Sequence, residues 1–386
     1  MLGSMMLMLA QVASPSPAVS DEVIVIGHRA EKELAACLAR NCPPAEEVEA
    51  SLQASVEQFA DGRYDDARGT LKKAIGRNRN HAAELPGPVS RLYATLATVA
   101  EHQGDEDLWR TSARNNLLVL RRHLGDADSA TLREELRFAD SMIGLGSPDM
   151  ADRTYKAVQL LATKAGHSNI AAVAAFRRAW LAMIRTRFSA AERFADEAVL
   201  LSGTDDRLMT ELREILRTRI AIHKGDSGAV DALAARLRRS ATARPQLLFA
   251  PALVDVNPTT AGNLMQSDPW HDARIRFADV GYWIRPDGRT AEVKVLRTSG
   301  LGQWFPGIIR QVSKRRYAPL DVEPGNPGLY RIDRFTVRAT TGVSTSSRII
   351  QRTGNLTIHI IDLTETDAMS AEHVRRTQEG FTGQGV

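Results

Sequence analysis

The side chains that most often carry catalysis or bind metals are scattered along this chain. The nine histidines are dispersed, and no two have the H-x-x-x-H or H-E-x-x-H spacing that brings ligands onto one helix face. Gly300-Leu301-Gly302 is too short for a dinucleotide loop, and neither a Walker loop nor a G-x-S-x-G motif occurs. The carboxylate pairs at 65–66 and 134–135 fall in helical segments, where such pairs are usually solvated. The sequence therefore predicts no enzyme, no metal site and no cofactor.

Cys37 and Cys42 are the only cysteines in the sequence. On a continuous helix they would point to different faces and could not bond. Pro43 disfavours the helical conformation for Cys42, and Asn41 can adopt the left-handed conformation that ends a helix. The pattern predicts a disulfide worth roughly 2 kcal/mol, formed in an oxidising compartment.

Residues 1–18 resemble a secretory signal peptide. An apolar run at 5–10 leads to Ser16-Pro17-Ala18, which has small residues at the −3 and −1 positions of a cleavage site, although no Lys or Arg precedes the run. No stretch approaches the ~18–20 apolar residues that span a bilayer. The sequence predicts export to the periplasm, with no membrane span after signal cleavage.

Residues 45–240 show recurring signals of paired helices. Phe59, Gly62, Tyr64, Ala67 and Ala74 match the turn and packing positions of a tetratricopeptide (TPR) repeat, and this part of the chain resembles that family. Similar turns are predicted at 104, 146, 187 and 225, roughly 40 residues apart, which is longer than the standard repeat of 34. The prediction is an all-α, TPR-like solenoid of about five helix pairs, because one pair cannot bury its own apolar face.

Four arginines of this region leave two interpretations open. Arg177, Arg178, Arg185 and Arg187 either line a concave groove that binds a partner or form the solvated face of an amphipathic helix.

Residues 272–365 form a second unit, an α+β domain. Alternation at Val280, Tyr282 and Ile284 and at Val293 and Val295 predicts a hairpin around the Pro286-Asp287-Gly288 turn. A helix through Trp304, Ile308 and Val312 follows, and further strands are predicted at 329–339 and 356–363. The remaining divisions are an N-terminal strand and short helix at 19–44, a Pro-rich linker at 241–271 with a short strand at 247–249, and a polar tail at 366–386 that is predicted to be disordered.

This order of elements resembles the C-terminal domain of TonB-type energy transducers. The shared landmarks are the Asp287-Gly288 turn, Ser299-Gly300 at the end of the second strand, and the basic-aromatic-x-Pro stop Arg316-Tyr317-Ala318-Pro319. The resemblance covers about 275–340 and implies a ββαβ fold that binds a protein partner by strand addition. A membrane helix and a long Pro-rich spacer, which TonB itself has, are missing from this sequence.

The predicted partner-binding surface lies at the exposed edges of this sheet, around 293–298 and 330–337. The resemblance places the pairing strand at 329–339, although the fourth predicted strand could cover that edge. The candidate residues are Arg297, Arg331, Arg334, Phe335, Val337 and Arg338.

The charge of the chain is concentrated in this unit. The whole sequence carries only +4, but between Trp270 and Arg352 fifteen Lys or Arg residues face seven Asp or Glu. A basic module fits an acidic protein partner, since charge steers association, although a solvated surface without a partner fits equally. An exported protein rarely meets nucleic acid, so none is predicted as a ligand.

Residues 21–29 are a short β-forming run after the predicted cleavage site. They resemble the opening segment of TonB-dependent outer-membrane receptors, and we expect them either to add to a TonB-like sheet edge in this chain or another, or to be a plain first strand. The predicted function is a non-catalytic periplasmic adaptor that docks a component of an envelope or TonB system. The alternative is a structural or chaperone-like scaffold whose helical groove binds the partner.

Overall fold

A computed structural model of the chain describes most of the two predicted units. The described residues are 29–144, 147–203, 206–226, 228–237, 245–253, 256, 275–323, 325–343 and 350–364. The predicted signal peptide, residues 21–28, most of the linker and the tail at 366–386 lie outside these ranges.

Eleven of the described helices precede the strands in the chain, and the twelfth lies between the third and fourth strands. The helices are α1 (Arg29–Ala39), α2 (Pro44–Ala60), α3 (Tyr64–Asn78), α4 (Pro86–Gln103), α5 (Glu106–Leu124), α6 (Ser129–Gly144), α7 (Pro148–Lys164), α8 (Ser168–Ile184), α9 (Phe188–Ser202), α10 (Arg207–His223), α11 (Ala229–Leu237) and α12 (Phe305–Ser313). The strands are β1 (Leu247–Phe249), β2 (Arg276–Ile284), β3 (Thr290–Thr298), β4 (Arg316–Tyr317), β5 (Leu329–Val343) and β6 (Ile350–Asp362). These helices and strands confirm the predicted α+β fold class.

The first helix ends at the cysteine pair as the sequence predicts. Asn41 has a φ of 51°, which places it in the left-handed region. The chain folds back there, and the Cys42 N–H donates to the Cys37 carbonyl at 3.1 Å. The two Cα atoms lie 5.1 Å apart, and the cysteines are disulfide-bonded.

Short turns join the helices of α1–α11 into antiparallel pairs. The predicted turns at Gly62, Gly104 and Gly225 each have a positive φ, and the turn before α9 has Thr186 at 56° in that role. Asp105 then caps α5, since its side chain accepts the Leu108 N–H at 3.0 Å. Two of the later helices, α8 and α9, pack closely because alanines line their contact. Eight alanines of these two helices are fully buried, namely Ala171, Ala172, Ala174, Ala175, Ala179, Ala191, Ala195 and Ala198, and Ala182 is slightly more exposed.

The C-terminal unit is built on a four-stranded antiparallel sheet in the order β3-β2-β5-β6. The register places Asp279 of β2 opposite Arg334 of β5, and Phe335 of β5 opposite Ile360 of β6. The hairpin, the helix and the two later strands are therefore confirmed as elements, with β5 and β6 longer than predicted.

The two faces of the sheet have different neighbours. On one face α12 contributes Ile308 and Val312 to a core with Val280 and Phe335, all fully buried. On the other face Phe277 and Ile361 pack against the core of α2, α3 and α4. The sheet therefore separates its own core from the core of the first helix pairs.

A second contact joins the sheet unit to the last helices. Strand β1 pairs with β4, so the chain leaving α11 is bound to the sheet unit. Arg219 of α10 donates to the carbonyls of Leu247 and Leu248 at 3.2 and 3.1 Å, and Arg316 of β4 pairs with Asp231 of α11 at 3.1 Å. The sheet unit thus contacts both ends of the helical region.

Within the ranges that the structure describes, no helix combines the length and the apolar character needed to cross a membrane.

Candidate functional site

The polar face of the sheet lies on the carboxyl-terminal end of α2. Arg334 is fully buried there, and its guanidinium donates to both oxygens of Asp279 at 2.6 and 2.8 Å. Its remaining donors reach the carbonyls of Phe59 and Ala60, the last residues of α2. A cation at this position also interacts favourably with the negative end of the helix dipole. The side chain therefore joins two strands to a helix end.

Arg297 of β3 reinforces the same contact from the neighbouring strand. It donates to Asp279 at 3.0 Å and to the Ala60 carbonyl at 2.7 Å. It also reaches Asp61, which follows α2, at 3.4 Å. Asp279 is thus shared by two arginines, which explains how a buried carboxylate is stabilised at this point.

The end of α4 contacts the sheet through another arginine of β5, Arg338. Arg338 donates to the Glu101 carbonyl near the end of α4, to Thr357 at 3.0 Å and to His359 of β6 at 2.7 Å. Gly104, in the following turn, has a φ of 71°, and a Cβ there would lie 2.7 Å from the Ala339 carbonyl oxygen. A glycine is therefore needed for both the turn and the close approach.

His102 lies between these two arginine contacts and is almost completely buried. Its ring packs edge-on against Phe59 with centroids 5.0 Å apart, and its Nδ1 lies 3.2 Å from the Thr336 hydroxyl. Burial, together with the nearby His359, Arg334 and Arg338, holds the pKa of His102 well below the usual 6.5. The ring is therefore neutral at pH 7.

A third buried network lies on the opposite face of the sheet. The Tyr282 hydroxyl lies 2.8 Å from that of Tyr317 and donates to Asp333 at 2.9 Å, and Arg315 donates to Tyr282 at 2.8 Å. Burial, reinforced by Asp333, raises the pKa of Tyr282 far above its usual value, so the phenol stays protonated. Arg331 completes the network through Asp333 at 2.8 Å. These groups are mutually satisfied, and they brace the sheet rather than face a substrate.

The prediction of a partner-binding surface at β5 is wrong. β5 pairs with β2 on one side and with β6 on the other, so it is not an edge strand. Arg334, Phe335 and Val337 are at most 1% exposed and Arg338 is 5% exposed. The strand that covers this edge is β6, which corresponds to the fourth predicted strand.

The two remaining candidate residues, Arg331 and Arg297, are also bound within this chain. Arg331 is bound to Asp333 and to Asp362 at 2.9 Å, and Arg297 faces α2. The structure thus brings Arg297, Arg334 and Arg338 together, but against this chain's own helices.

The other predicted edge is confirmed, since β3 pairs with β2 alone among the described strands, and its Leu296 is 45% exposed.

Ion pairs hold three of the four predicted arginines, and their side chains are only partly exposed, at 28% for Arg177, 12% for Arg178 and 29% for Arg185. Arg178 pairs with Asp152 at 3.0 Å, Arg177 with Asp140 at 3.0 Å, and Arg185 with Asp149 at 2.5 Å. These pairs tie α8 to the two preceding helices.

A shallow, open depression lies where β3 ends beside the turn between α2 and α3. It is lined mainly by residues 62–66, 275–277, Ser299 and Gly300. Asp65 is held by Gln103 at 2.7 Å. Among the residues that the structure describes, no group of three His, Cys, Asp or Glu side chains is placed to hold a metal ion.

Sequence reasoning missed Asp279, Asp61 and His102. Asp279 sits in a strand where alternation predicts an ordinary polar position, and no local signal shows that Arg334 lies opposite it. The turns at Gly62 and Gly104 were recognisable, but their role in approaching the sheet was not, because the contacts join residues far apart in the chain.

Comparisons with known proteins add little to this geometry. No protein-family model matches the chain, and no curated protein does. Among solved structures, the crystal structure of BtubC (BKLC) from P. vanneervenii aligns with 60% of this chain and 94% of its own, at 14% identity and a TM-score of 0.43. A similarity at this level carries no conclusion about function.

Replacing Arg334 tests the buried ion pair. We expect Arg334→Met to lower the free energy of unfolding by about 3–5 kcal/mol, because it leaves Asp279 and two helix carbonyls without that partner. Adding Asp279→Leu should recover part of the loss. Urea denaturation measures both, with Arg289→Met as the matched control, since the Arg289 side chain is 66% exposed. An equal, small effect for both arginines would contradict this assignment.

The close approach at Gly104 makes a second prediction. Gly104→Ala should destabilise the protein by about 1–3 kcal/mol more than Gly166→Ala, because overpacking adds to the cost of the left-handed conformation. Gly166 is a suitable control, since it has a similar φ of 77° and open space around the position of a Cβ. Thermal or urea unfolding of the two variants gives the comparison, and equal losses would show that the sheet yields at this point.

The third prediction concerns pH. The unfolded chain protonates His102 near pH 6.5 and the folded chain only well below it. The free energy of unfolding should therefore be fully retained above 6.5 and fall as the pH drops below that value, by up to about 1.4 kcal/mol per unit. Unfolding curves between pH 5 and 8 should show this slope reduced in His102→Asn and unchanged in His223→Asn, an exposed control on α10. The same slope in both variants would assign the effect to other groups.

Proposed function

We propose that this chain is a non-catalytic adaptor of the periplasm, in which a TonB C-terminal-like unit binds an extended segment of a partner protein. The observation that carries the proposal is the edge strand β3. Among the described strands it pairs with β2 alone, and the exposed side of an edge strand is a template for main-chain hydrogen bonding.

The direction of the edge backbone supports strand addition. The Ser299 N–H donates to the Phe277 carbonyl at 2.9 Å, which identifies Ala278 and Thr298 as a non-hydrogen-bonded pair. The N–H and carbonyl of Thr298 therefore point away from β2, toward the side where an added strand would lie. Along the same strand Glu292, Lys294, Leu296 and Thr298 are exposed, so their side chains are accessible to a ligand.

The resemblance to TonB supports the type of binding but not the same strand. The D-G turn, the S-G end of β3 and the Tyr317-Ala318-Pro319 stop lie in the expected order around α12. The TonB family pairs its partner with the last strand of a three-stranded sheet, and here β6 already occupies that side of β5. Binding is therefore assigned to β3 at the opposite edge.

Other features support a periplasmic interaction protein. The Cys37–Cys42 disulfide persists in an oxidising compartment, and residues 1–18 resemble a signal peptide. The paired helices with turns at Gly62, Gly104 and Gly225 support the TPR-like interpretation, and such arrays often serve as protein scaffolds. We assign the partner to an envelope or TonB-system protein, with an acidic surface that suits the basic sheet unit.

Site-specific photo-crosslinking tests the proposal in the native cell. A benzophenone amino acid at Leu296 should capture one exported partner through a single short segment, identified by mass spectrometry of the crosslinked peptide. A synthetic peptide of that segment should then bind the purified chain and compete with the partner. Matched probes at Leu160 of α7 and Ile360 of β6, which are 56% and 40% exposed, should not capture it. Capture at Leu160 alone would favour the alternative, a scaffold that binds through its helices.

A further inference from the structure

Three exposed leucines occupy the same position on successive helices. α5, α7 and α9 are each the second helix of a pair, and Leu118, Leu160 and Leu200 are each the thirteenth residue of their helix. Their exposed fractions are 45%, 56% and 75%. A single exposed leucine needs no explanation, but the same exposed position on three successive second helices does.

Basic residues flank two of these leucines on both sides. The residues four positions before and four positions after Leu118 and Leu160 are all exposed Lys or Arg, namely Arg114, Arg122, Lys156 and Lys164. Residues four apart share a helix face, so each leucine projects between two cations. Within the described ranges none of the four is paired with a carboxylate, whereas the neighbouring Arg121 is held by Glu135.

The three helices present these residues on one surface. His167, three residues after α7, donates through Nε2 to the carbonyl of Ala127, three residues after α5, at 3.1 Å. Gln159, next to Leu160, donates to Glu197 of α9 at 2.6 Å. The carboxyl-terminal halves of α5, α7 and α9 are therefore neighbours, and we call their shared surface, with the three leucines and four cations, the leucine–basic face.

The acidic side chains of α9 near this face are engaged by other helices. Asp196 occupies on α9 the position that Arg114 and Lys156 occupy on α5 and α7, and it pairs with Arg213 and Arg217 of α10 at 3.4 and 2.9 Å. Glu197 is bound to Gln159 as described. The excess charge beside the leucines is therefore positive.

This pattern fits a charged lipid surface better than a protein surface. The core of a protein interface joins apolar side chains into one area that is depleted of charge, whereas Leu118 and Leu160 each stand between two cations. An anionic bilayer accommodates both kinds of side chain, because apolar residues enter the boundary of the acyl chains while long basic side chains reach the headgroups. Each Lys or Arg near such a surface adds attraction.

We propose that the leucine–basic face binds the surface of an anionic lipid bilayer, with Leu118, Leu160 and Leu200 inserted among the headgroups. The chain then lies on the bilayer through the sides of three helices. The proposal goes beyond the proposed function and is independent of it, because no residue of this face belongs to the sheet unit that carries β3.

Flotation of the full chain with lipid vesicles tests the proposal. The chain should float with vesicles that contain phosphatidylglycerol at about 0.1 M salt, and much less at about 1 M salt, where the Debye length falls to about 3 Å. It should not float with phosphatidylcholine alone, which lacks net charge. Removing the four cations should weaken binding on the order of 100-fold, in the variant with Arg114→Gln, Arg122→Gln, Lys156→Gln and Lys164→Gln. Leu118→Ser combined with Leu160→Ser should weaken it on the order of tenfold.

Matched variants control for general effects of charge and apolar area. Leu208→Ser combined with Ile184→Ser removes two leucine-sized side chains that are 51% and 53% exposed on the first helices of their pairs. The charge control removes two exposed arginines and two exposed lysines elsewhere, through Arg91→Gln, Arg133→Gln, Lys224→Gln and Lys314→Gln. Both controls should float like the unmodified chain, and urea unfolding shows whether each variant keeps its fold.

Several results would overturn the proposal. The unmodified chain failing to float at about 0.1 M salt would do so directly. Equal losses in the control and the face variants would show that binding follows total charge or apolar area rather than this face. A loss with the four glutamines but none with the two serines would contradict insertion of the leucines.

A benzophenone amino acid at Leu160 distinguishes lipid from protein as the occupant. On vesicles and in the native cell it should gain the mass of a phospholipid, whereas the same probe at Leu208 should not. Capture of a protein at Leu160 without any lipid adduct would assign the face to a protein partner and overturn the proposal. Failure of the probe at Leu296 to capture a partner would contradict the proposed function alone, because β3 has no part in vesicle binding.

Discussion

A guanidinium group buried away from water must find an acceptor for its donors, and Arg334 finds them in two units of the protein at once. Asp279 on the next strand takes one edge of the group, and the last carbonyls of α2 take the other. Neither set would be sufficient alone, because a buried charge with half of its partners is strongly destabilising. The sheet therefore has one favourable position on the helices, and Arg334 defines it.

The other contacts follow from that position. With β5 held against α2, the neighbouring Arg338 reaches the end of α4, and His102 is enclosed between the two arginines. The same arrangement decides which strands remain accessible. β5 is interior and β6 closes its far side, whereas β3 is left at the edge of the sheet.

Local features of the fold could be predicted from the sequence, and tertiary ones could not. The left-handed turn at Asn41 and the hairpin at Asp287-Gly288 depend on neighbouring residues, so proline and glycine chemistry was enough to find them. The burial of Arg334 depends on Asp279, 55 positions away, and on carbonyls of a helix near the other end of the chain. An arginine that alternates with apolar residues in a strand predicts a solvated face, and only the docked helices reverse that expectation.

The sheet unit is bound to the second and fourth helices at one end and to the tenth and eleventh at the other, and this limits how the protein can evolve. An open array of helix pairs can gain or lose a pair by duplication or deletion, because each pair contacts only its neighbours. Here an inserted pair would move Asp231 and Arg219 away from Arg316 and β1 while Arg334 stayed on α2. The number of pairs in this lineage should therefore stay fixed while surface loops vary in length.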